Sequence, residues 1–357
     1  MWPDRRLLEL FGIQHPIVQA PMANSSDVEL AVAVALAGGL GSLPAGSLDA
    51  EKLREHVTAF RAGAPGRPVN VNFFTHRMPT PNNAREAAWR EALKPYYAEY
   101  GIDPNAPVSS VPRAPFNAAH CEVVEALKPE VVSLHYGLPA PDLLARVKAA
   151  GCKVMCSATT VTEAKHLAEG GCDAIIAQGN EAGGHRGMFL TDDLAAQPGT
   201  LALIPQVADA VSVPVIAAGG IGDARGIVAA LALGAAGVQL GTAYLHCPES
   251  RVSRPHRELL RHAGEHPTVV TNMMTGRPAR GFVNRVIRDL GPISAIAPEF
   301  PLASAALAPL AAKTKETGEF APLWAGEAAA LGTELPAREL TLKLAADAQA
   351  LLRRMAG

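Results

Sequence analysis

The sequence predicts an α/β fold: a TIM (β/α)8 barrel followed by a smaller, mainly helical C-terminal extension. Three observations carry this. Eight short apolar runs bounded by turn residues fall within the first 245 of 357 residues. Five of the seven intervals between their starts are 21–29 residues, the length of one strand–turn–helix unit. Helix-patterned stretches lie between most of the runs, as parallel strands joined by crossovers require. Eight successive units is the count of that barrel. A doubly wound sheet rarely shows eight in succession, and no GxGxxG follows the first run.

The runs are 16–20 (PIVQA), 39–44 (GLGSLP), 68–74 (PVNVNFF), 131–137 (VVSLHYG), 153–158 (KVMCSA), 174–178 (AIIAQ), 214–219 (PVIAAG) and 237–241 (GVQLG). Their length and Val/Ile content suit strands buried on both faces. Helices are expected over 27–37, capped by Ser26 or Asp27 and stopped at Gly38, and over 140–150. Two more are expected over 162–169, stopped at Gly170, and over 224–233, capped by Asp223 and stopped at Gly234. The long third interval holds 75–120, an insertion with seven prolines and an amphipathic piece at 84–97, read as an active-site lid. The expected domains are a barrel over 1–245 and an extension over 246–357. In the extension, helix is expected over 246–263, 282–290 and 337–355, the last packing back on the barrel. A short extended piece is expected over 268–272 and an apolar, Pro-rich stretch over 292–309.

Composition narrows the function classes. Charged residues are 18% and hydrophobic ones 48%, which supports a large core and opposes disorder. A formal charge of −2 and 5% aromatics oppose a nucleic-acid partner. Five irregularly spaced cysteines without a CxxC pair oppose a disulfide framework or a zinc site. With no signal-peptide pattern at the start, the expected location is cytoplasmic. The charge-free stretch 226–245 is long enough to span a membrane, but Gly234, Gly237, Gln239 and Thr242 interrupt it, so helix, turn and buried strand are expected instead.

In such a barrel the chemistry sits at the C-terminal strand ends. After the seventh and eighth runs come Gly219-Gly220-Ile221-Gly222-Asp223 and Gln239-Leu240-Gly241-Thr242. Gly-rich turns leading toward helices let backbone N–H groups point at an anion, so these loops predict a phosphate site. The sixth run leads into Gln178–Gly187 (QGNEAGGHRG), whose glycines let backbone approach a flat ligand and whose Gln178 amide suits a heteroaromatic edge. His185 has two readings there, a loop-stabilising residue or a catalytic one. After the first run come Ala20, Pro21, Met22 and Ala23. Asn70 and Asn72 share one face of the third strand and need polar partners, either a ligand or an internal network. His135, at the end of the fourth run, is either structural or a group for proton transfer or oxyanion polarisation.

Together, PIVQAPMA, NVNFF, VVSLHYG, AQGNEAGGHRG, PVIAAGGI, GAAGVQLGTAYL and TGRPARGFVNR, in this order over most of the chain, resemble the nitronate monooxygenase (2-nitropropane dioxygenase) family. The resemblance implies an FMN-binding TIM barrel with a smaller helical domain. By motif, Ala20, Pro21, Met22, Ala23, Asn72, Gln178, Gly183 and Gly184 would surround the isoalloxazine and ribityl chain. Gly219, Gly220, Gln239, Leu240, Gly241 and Thr242 would hold the phosphate region. His135 matches the family's catalytic histidine, with HYG where HFG is common. The implied reaction is oxidation of alkyl nitronates, nitroalkanes or propionate 3-nitronate with O2 to carbonyl compounds and nitrite. His135 would remove the α-proton of a neutral nitroalkane or orient a nitronate already ionised.

The rival closest to it is an NAD(P)H-dependent FMN reductase acting on quinones or enoyl-acyl carrier protein, which resembles the same motifs. No separate dinucleotide fingerprint is present. A phosphate-sugar isomerase or aldolase would use a strand-end Lys or carboxylate, whereas Lys153 stands at a strand start. A binding or scaffold protein would not cluster polar residues at strand ends. Arg277, Arg280 and Arg285 serve either an anionic ligand or ion pairs between domains. The partners expected are a small nitronate or nitroalkane and O2, with neither nucleic acid nor membrane, and a homo-oligomer is compatible with the sequence.

Overall fold

The computed structural model describes residues 2–103 and 114–357, so part of the expected lid, 104–113, lies outside the described residues. Eight parallel strands make the barrel. They are β1 (Ile17–Gln19), β2 (Gly41–Pro44), β3 (Val69–Phe74), β4 (Val131–His135), β5 (Lys153–Ala158) and β6 (Ala174–Gln178). After a two-residue strand outside the barrel, β7 (Gly184–His185), come β8 (Val215–Ala218) and β9 (Gly237–Leu240). Their order is β1-β9-β8-β6-β5-β4-β3-β2, and a parallel bridge from Val18 to Leu40 joins the two ends. The predicted barrel is therefore present, and each strand lies inside the run that predicts it.

Strand alternation explains the two main cores. One set of side chains, including Val132, Leu134, Val154, Cys156, Ile175 and Val215, packs outward under the crossover helices. The other set points into the barrel, where Ile17, Val131, Met155, Ala174 and Ile216 fill the lower part. Toward the strand ends the inward residues become polar. Asn70 donates to Ser42 Oγ at 2.9 Å and Asn72 to Ser133 Oγ at 3.0 Å, so an internal network satisfies much of what the two asparagines need. The helices begin at side-chain caps. Asp27 accepts from the N–H of Val28, Thr160 from Glu163 and Asp223 from Arg225. Gly41 permits the helix Val28–Leu36 to lie directly on β2, because a Cβ there would stand 2.1 Å from the carbonyl oxygen of Ala31.

The extension departs from its sequence reading in three places. Helix over 246–263 shrinks to Arg254–Arg261, because Pro248 and Pro255 lack N–H groups and Ser253 caps a new start by accepting from His256. Helix over 282–290 begins only at Arg285, where Asn284 caps Ile287, and the chain before it forms a strand. That strand, β11 (Ala279–Phe282), pairs antiparallel with β10 (Thr268–Thr271) and with β7, making a small sheet that the sequence reading lacked. The Pro-rich 292–309 contains the start of a helix, Ala303–Lys313, which carries Pro309 inside it. The final helix, Ala337–Met355, packs on the helices Val28–Leu36 and Ala224–Ala232. Its Thr341 hydroxyl meets Tyr244 Oη at 2.8 Å.

The helix Asn83–Glu99, within the expected lid, shares a core with the extension. Trp89, Leu93, Tyr96 and Tyr97 pack with Met273, Leu307, Leu310 and Phe320, and Trp89 Nε1 donates to Ala303 O at 3.0 Å. Among the described residues no helix is long and apolar enough to cross a membrane.

Trp89 is 1% exposed and joins these two distant segments. Trp89→Ala is expected to cost about 3–5 kcal/mol in denaturant unfolding. A loss under ~1 kcal/mol would show that the two segments do not fold as one unit.

Candidate active site

A cavity of about 410 Å³ opens at the C-terminal ends of the barrel strands. Residues from six strand ends reach it: Asn72, His135, Ser157, Gln178, Ala218 and Gln239. Ala20, Pro21, Met22 and Ala23 line it after β1, and Gly183 and Gly184 after β6. Gly219, Gly220, Gly241 and Thr242 line it after β8 and β9. Of the residues that the family resemblance assigns to the cofactor and the reaction, Leu240 alone does not line the cavity. It is 1% exposed and packs in the apolar core, as alternation next to the inward Gln239 dictates.

His135 lies deep in this cavity. Its Nδ1 is 3.0 Å from Ser157 Oγ and its Nε2 is 3.3 Å from the carbonyl oxygen of His185. A carbonyl only accepts, so the proton belongs on Nε2, and the Ser157 hydroxyl donates to Nδ1. The His135 pKa is pushed down to about 3, first by burial and then by the Arg277 and Arg186 charges, with the His185 carbonyl opposing. The imidazole is therefore neutral at ordinary pH. Tyr136 and Gly137 follow with φ of 80° and 93°, which turns the chain sharply away after the histidine.

The loop after β6 is fixed by its own polar groups. Gln178 Nε2 donates to His185 O at 2.9 Å, and its Oε1 accepts from the N–H of Gly187 at 2.7 Å. The amide expected to meet a heteroaromatic edge thus clamps the loop and keeps one N–H for a ligand. Arg186 is fully buried and donates to Gln178 O at 2.9 Å and to Gln197 Oε1 at 3.0 Å, with Gly179 O a third acceptor. Its pKa falls to about 10, through burial and then repulsion from Arg280. His185 Nε2 meets Thr275 Oγ1 at 2.9 Å, so this side chain is held by the extension, which matches its loop-stabilising reading. The arginines of 275–285 serve protein contacts. Arg280 pairs with Glu327 at 3.0 Å, Arg285 with Glu99 at 2.6 Å, and Arg277 lies 4.1 Å over the Tyr136 ring.

The ends of β8 and β9 carry unspent hydrogen-bonding capacity. Gly219 and Gly220 have φ of 107° and 67°, and a Cβ on Gly219 would stand 2.8 Å from the N–H nitrogen of Ala182. Among the described residues, no hydrogen bond uses the N–H groups of Gly220, Gly241 or Thr242. Gln239 Oε1 is buried at the cavity with no partner among the described residues. Buried polar groups left this way point to a polar ligand. The described residues hold no cluster able to bind a metal.

Several cavity residues escaped sequence reading. Ser157 was legible in principle, since it stands two residues past inward-facing Met155 on β5. Phe74 likewise stands two residues past inward-facing Asn72 on β3, whereas Thr275, Trp324 and Gly326 come from the extension, where no periodic pattern announces them.

A family model described as nitronate monooxygenase matches residues 4–347. The nitronate monooxygenase of Pseudomonas aeruginosa is 43% identical over 339 residues, covering 94% of this chain and 96% of that protein. A solved structure of nitroalkane oxidase from Streptomyces ansochromogenes is similar at TM-score 0.88 and 36% identity, covering 98% of this chain and 99% of that one. FabK from Thermotoga maritima is similar at TM-score 0.74 and 27% identity, covering 100% and 99% of the two chains.

The depressed His135 pKa has a pH signature. The unfolded imidazole binds a proton near pH 6.5 and the folded one only near 3, so stability falls as pH drops through that window. His256, pushed down to about 4, acts in the same direction. Urea unfolding at pH 7 and pH 5 should show the protein weaker at pH 5, with a smaller difference in His135→Asn. The same pH dependence in variant and parent would contradict a neutral His135.

Proposed function

The chain belongs to the nitronate monooxygenase family, and from that premise we propose that this oxidoreductase uses FMN and O2 to convert alkyl nitronates to carbonyl compounds and nitrite. The observation that carries the reading is the unspent polar capacity at β8 and β9, in the same cavity as a neutral histidine. The residues present fit FMN. The N–H groups of Gly220, Gly241 and Thr242, beside the open backbone of Gly219, would receive its phosphate. Gln239, Asn72, the spare N–H of Gln178 and the loops Ala20–Ala23 and Gly183–Gly184 would border its ribityl chain and ring. Bound FMN supplies the electron acceptance that no side chain here offers.

The chain's own contribution is positioning and proton control. The Nε2–H of His135 is held weakly by the His185 carbonyl at 3.3 Å and can turn its hydrogen bond toward an anionic nitronate oxygen. Ser157 keeps the ring orientation by donating to Nδ1. The nearby Arg277 and Arg186 charges favour an anion in the cavity. For a neutral nitroalkane the same ring must accept the α-proton, a harder task for an imidazole with so low a pKa. Nitronates are therefore the better substrates.

The purified protein should show the absorption of bound FMN, and an alkyl nitronate added without O2 should bleach it. Bleaching by NADH with none by nitronate would instead establish the NAD(P)H-dependent reductase. His135→Asn should lose about 10²-fold or more in kcat/KM on a neutral nitroalkane, and about tenfold or less on its nitronate. Equal losses on the two forms would remove His135 as the proton acceptor.

A further inference from the structure

The cavity wall opposite in character to the polar strand ends is supplied by the extension. Ser304, Leu307, Ala308 and Ala311 fall at helical spacing on one face of the helix Ala303–Lys313 and line the cavity. Met274, Phe320 and Pro322 continue that wall. Among the described residues no Lys or Arg lines the cavity, and the one carboxylate there, Glu181, is spent on the N–H and hydroxyl of Thr200 at 2.8 and 2.7 Å. Arg277 stacks on the Tyr136 ring and donates to Met188 O, and it is not among the residues that line the cavity.

Resting on the nitronate reading of the site, we propose that this wall selects nitronates with an unbranched apolar chain and rejects those whose chain ends in a carboxylate. A methylene chain leaving the head group meets carbon on Leu307, Ala308, Ala311 and Phe320, and each buried methylene adds affinity. A terminal carboxylate of the same length loses water against that wall and finds no cation in return among the described residues. Propionate 3-nitronate is thereby a poor substrate for this chain. Ala308 and Ala311 matter because they are small, leaving room along the helix face. Ser304 is the one hydroxyl on that face and does not alter the sign, since it is neutral.

The test reads binding without turnover. Aliphatic carboxylates are planar two-oxygen anions like nitronates and are not oxidised by a flavin. The FMN-loaded protein is titrated calorimetrically with monocarboxylates from acetate to octanoate, and with dicarboxylates of matching length. Affinity is expected to rise by up to fourfold per methylene in the monocarboxylates, and each dicarboxylate of three to five carbons should bind at least tenfold more weakly than its partner. Ala308→Lys, which places a cation on the wall, should narrow or invert that preference. Ala311→Phe, which fills the wall, should weaken octanoate at least tenfold while leaving acetate within twofold. A flat series, equal or tighter dicarboxylate binding, or no binding at any length overturns the proposal. Chain-dependent binding in a protein that oxidises no nitronate overturns the functional reading alone. Nitronate oxidation with a flat series overturns this inference alone.

Discussion

The carbonyl oxygens of Gln178 and Gly179, Asn180 and Met188 accept hydrogen bonds from Arg186, Arg280 and Arg277 respectively. A fourth charged group, buried Glu163, accepts from the N–H groups of Phe189 and Leu190 and from Thr159. The excursion between β6 and the next helix is thus held by three guanidinium groups and one carboxylate. A buried charge with neutral partners is costly unless those partners are many and well placed, so each one admits a single loop path. Lysine could not replace Arg186, because the planar fork reaches separate acceptors at once. This bracing sets the His185 carbonyl against His135 and leaves the Gly183–Gly184 backbone facing the cavity.

The extension completes the same loop from the other side. Gly326 N–H donates to Thr242 Oγ1 at 2.9 Å, and Glu327 N–H donates to Glu181 O at 3.0 Å. Backbone meets backbone so closely that a Cβ on Gly183 would stand 2.5 Å from the Gly326 nitrogen. Pairing of β7 with β11 adds a second strap. Barrel and extension therefore share one wall of the cavity, and the aromatic contacts of His185 with Phe300 and Trp324, at 5.3 and 5.5 Å, lie along that seam.

The barrel was legible because burial on both strand faces writes continuous apolar runs, and because caps such as Asp27 and Asp223 precede the helices. Strand-end reading found His135, Gln178 and Gln239 for the same reason: alternation fixes which residue points inward. What each side chain does was less legible. Gln178 looks like a ligand group in sequence, yet its carbonyl oxygen is spent on Gly187, nine residues on. The extension was read poorly because its helices start and stop at prolines and side-chain caps. Its strands pair with a two-residue partner, Gly184–His185, too short to leave a period.

The charges that brace the loop also bear on the state of His135. Burial first, and then Arg277 and Arg186, lower its proton affinity, so the ring stays neutral beside fixed guanidinium charges. A site arranged this way keeps positive potential at any ordinary pH and still offers a neutral N–H donor. An anion entering it is attracted without first having to protonate a base, and its arrival would raise the His135 proton affinity. That gain is confined to a nitronate, which already lacks its α-proton; a neutral nitroalkane brings no charge and meets the histidine at its low resting basicity. The ring's partners fit this division, since the Ser157 hydroxyl donating to Nδ1 keeps the proton on Nε2, from where it can turn to a bound anion.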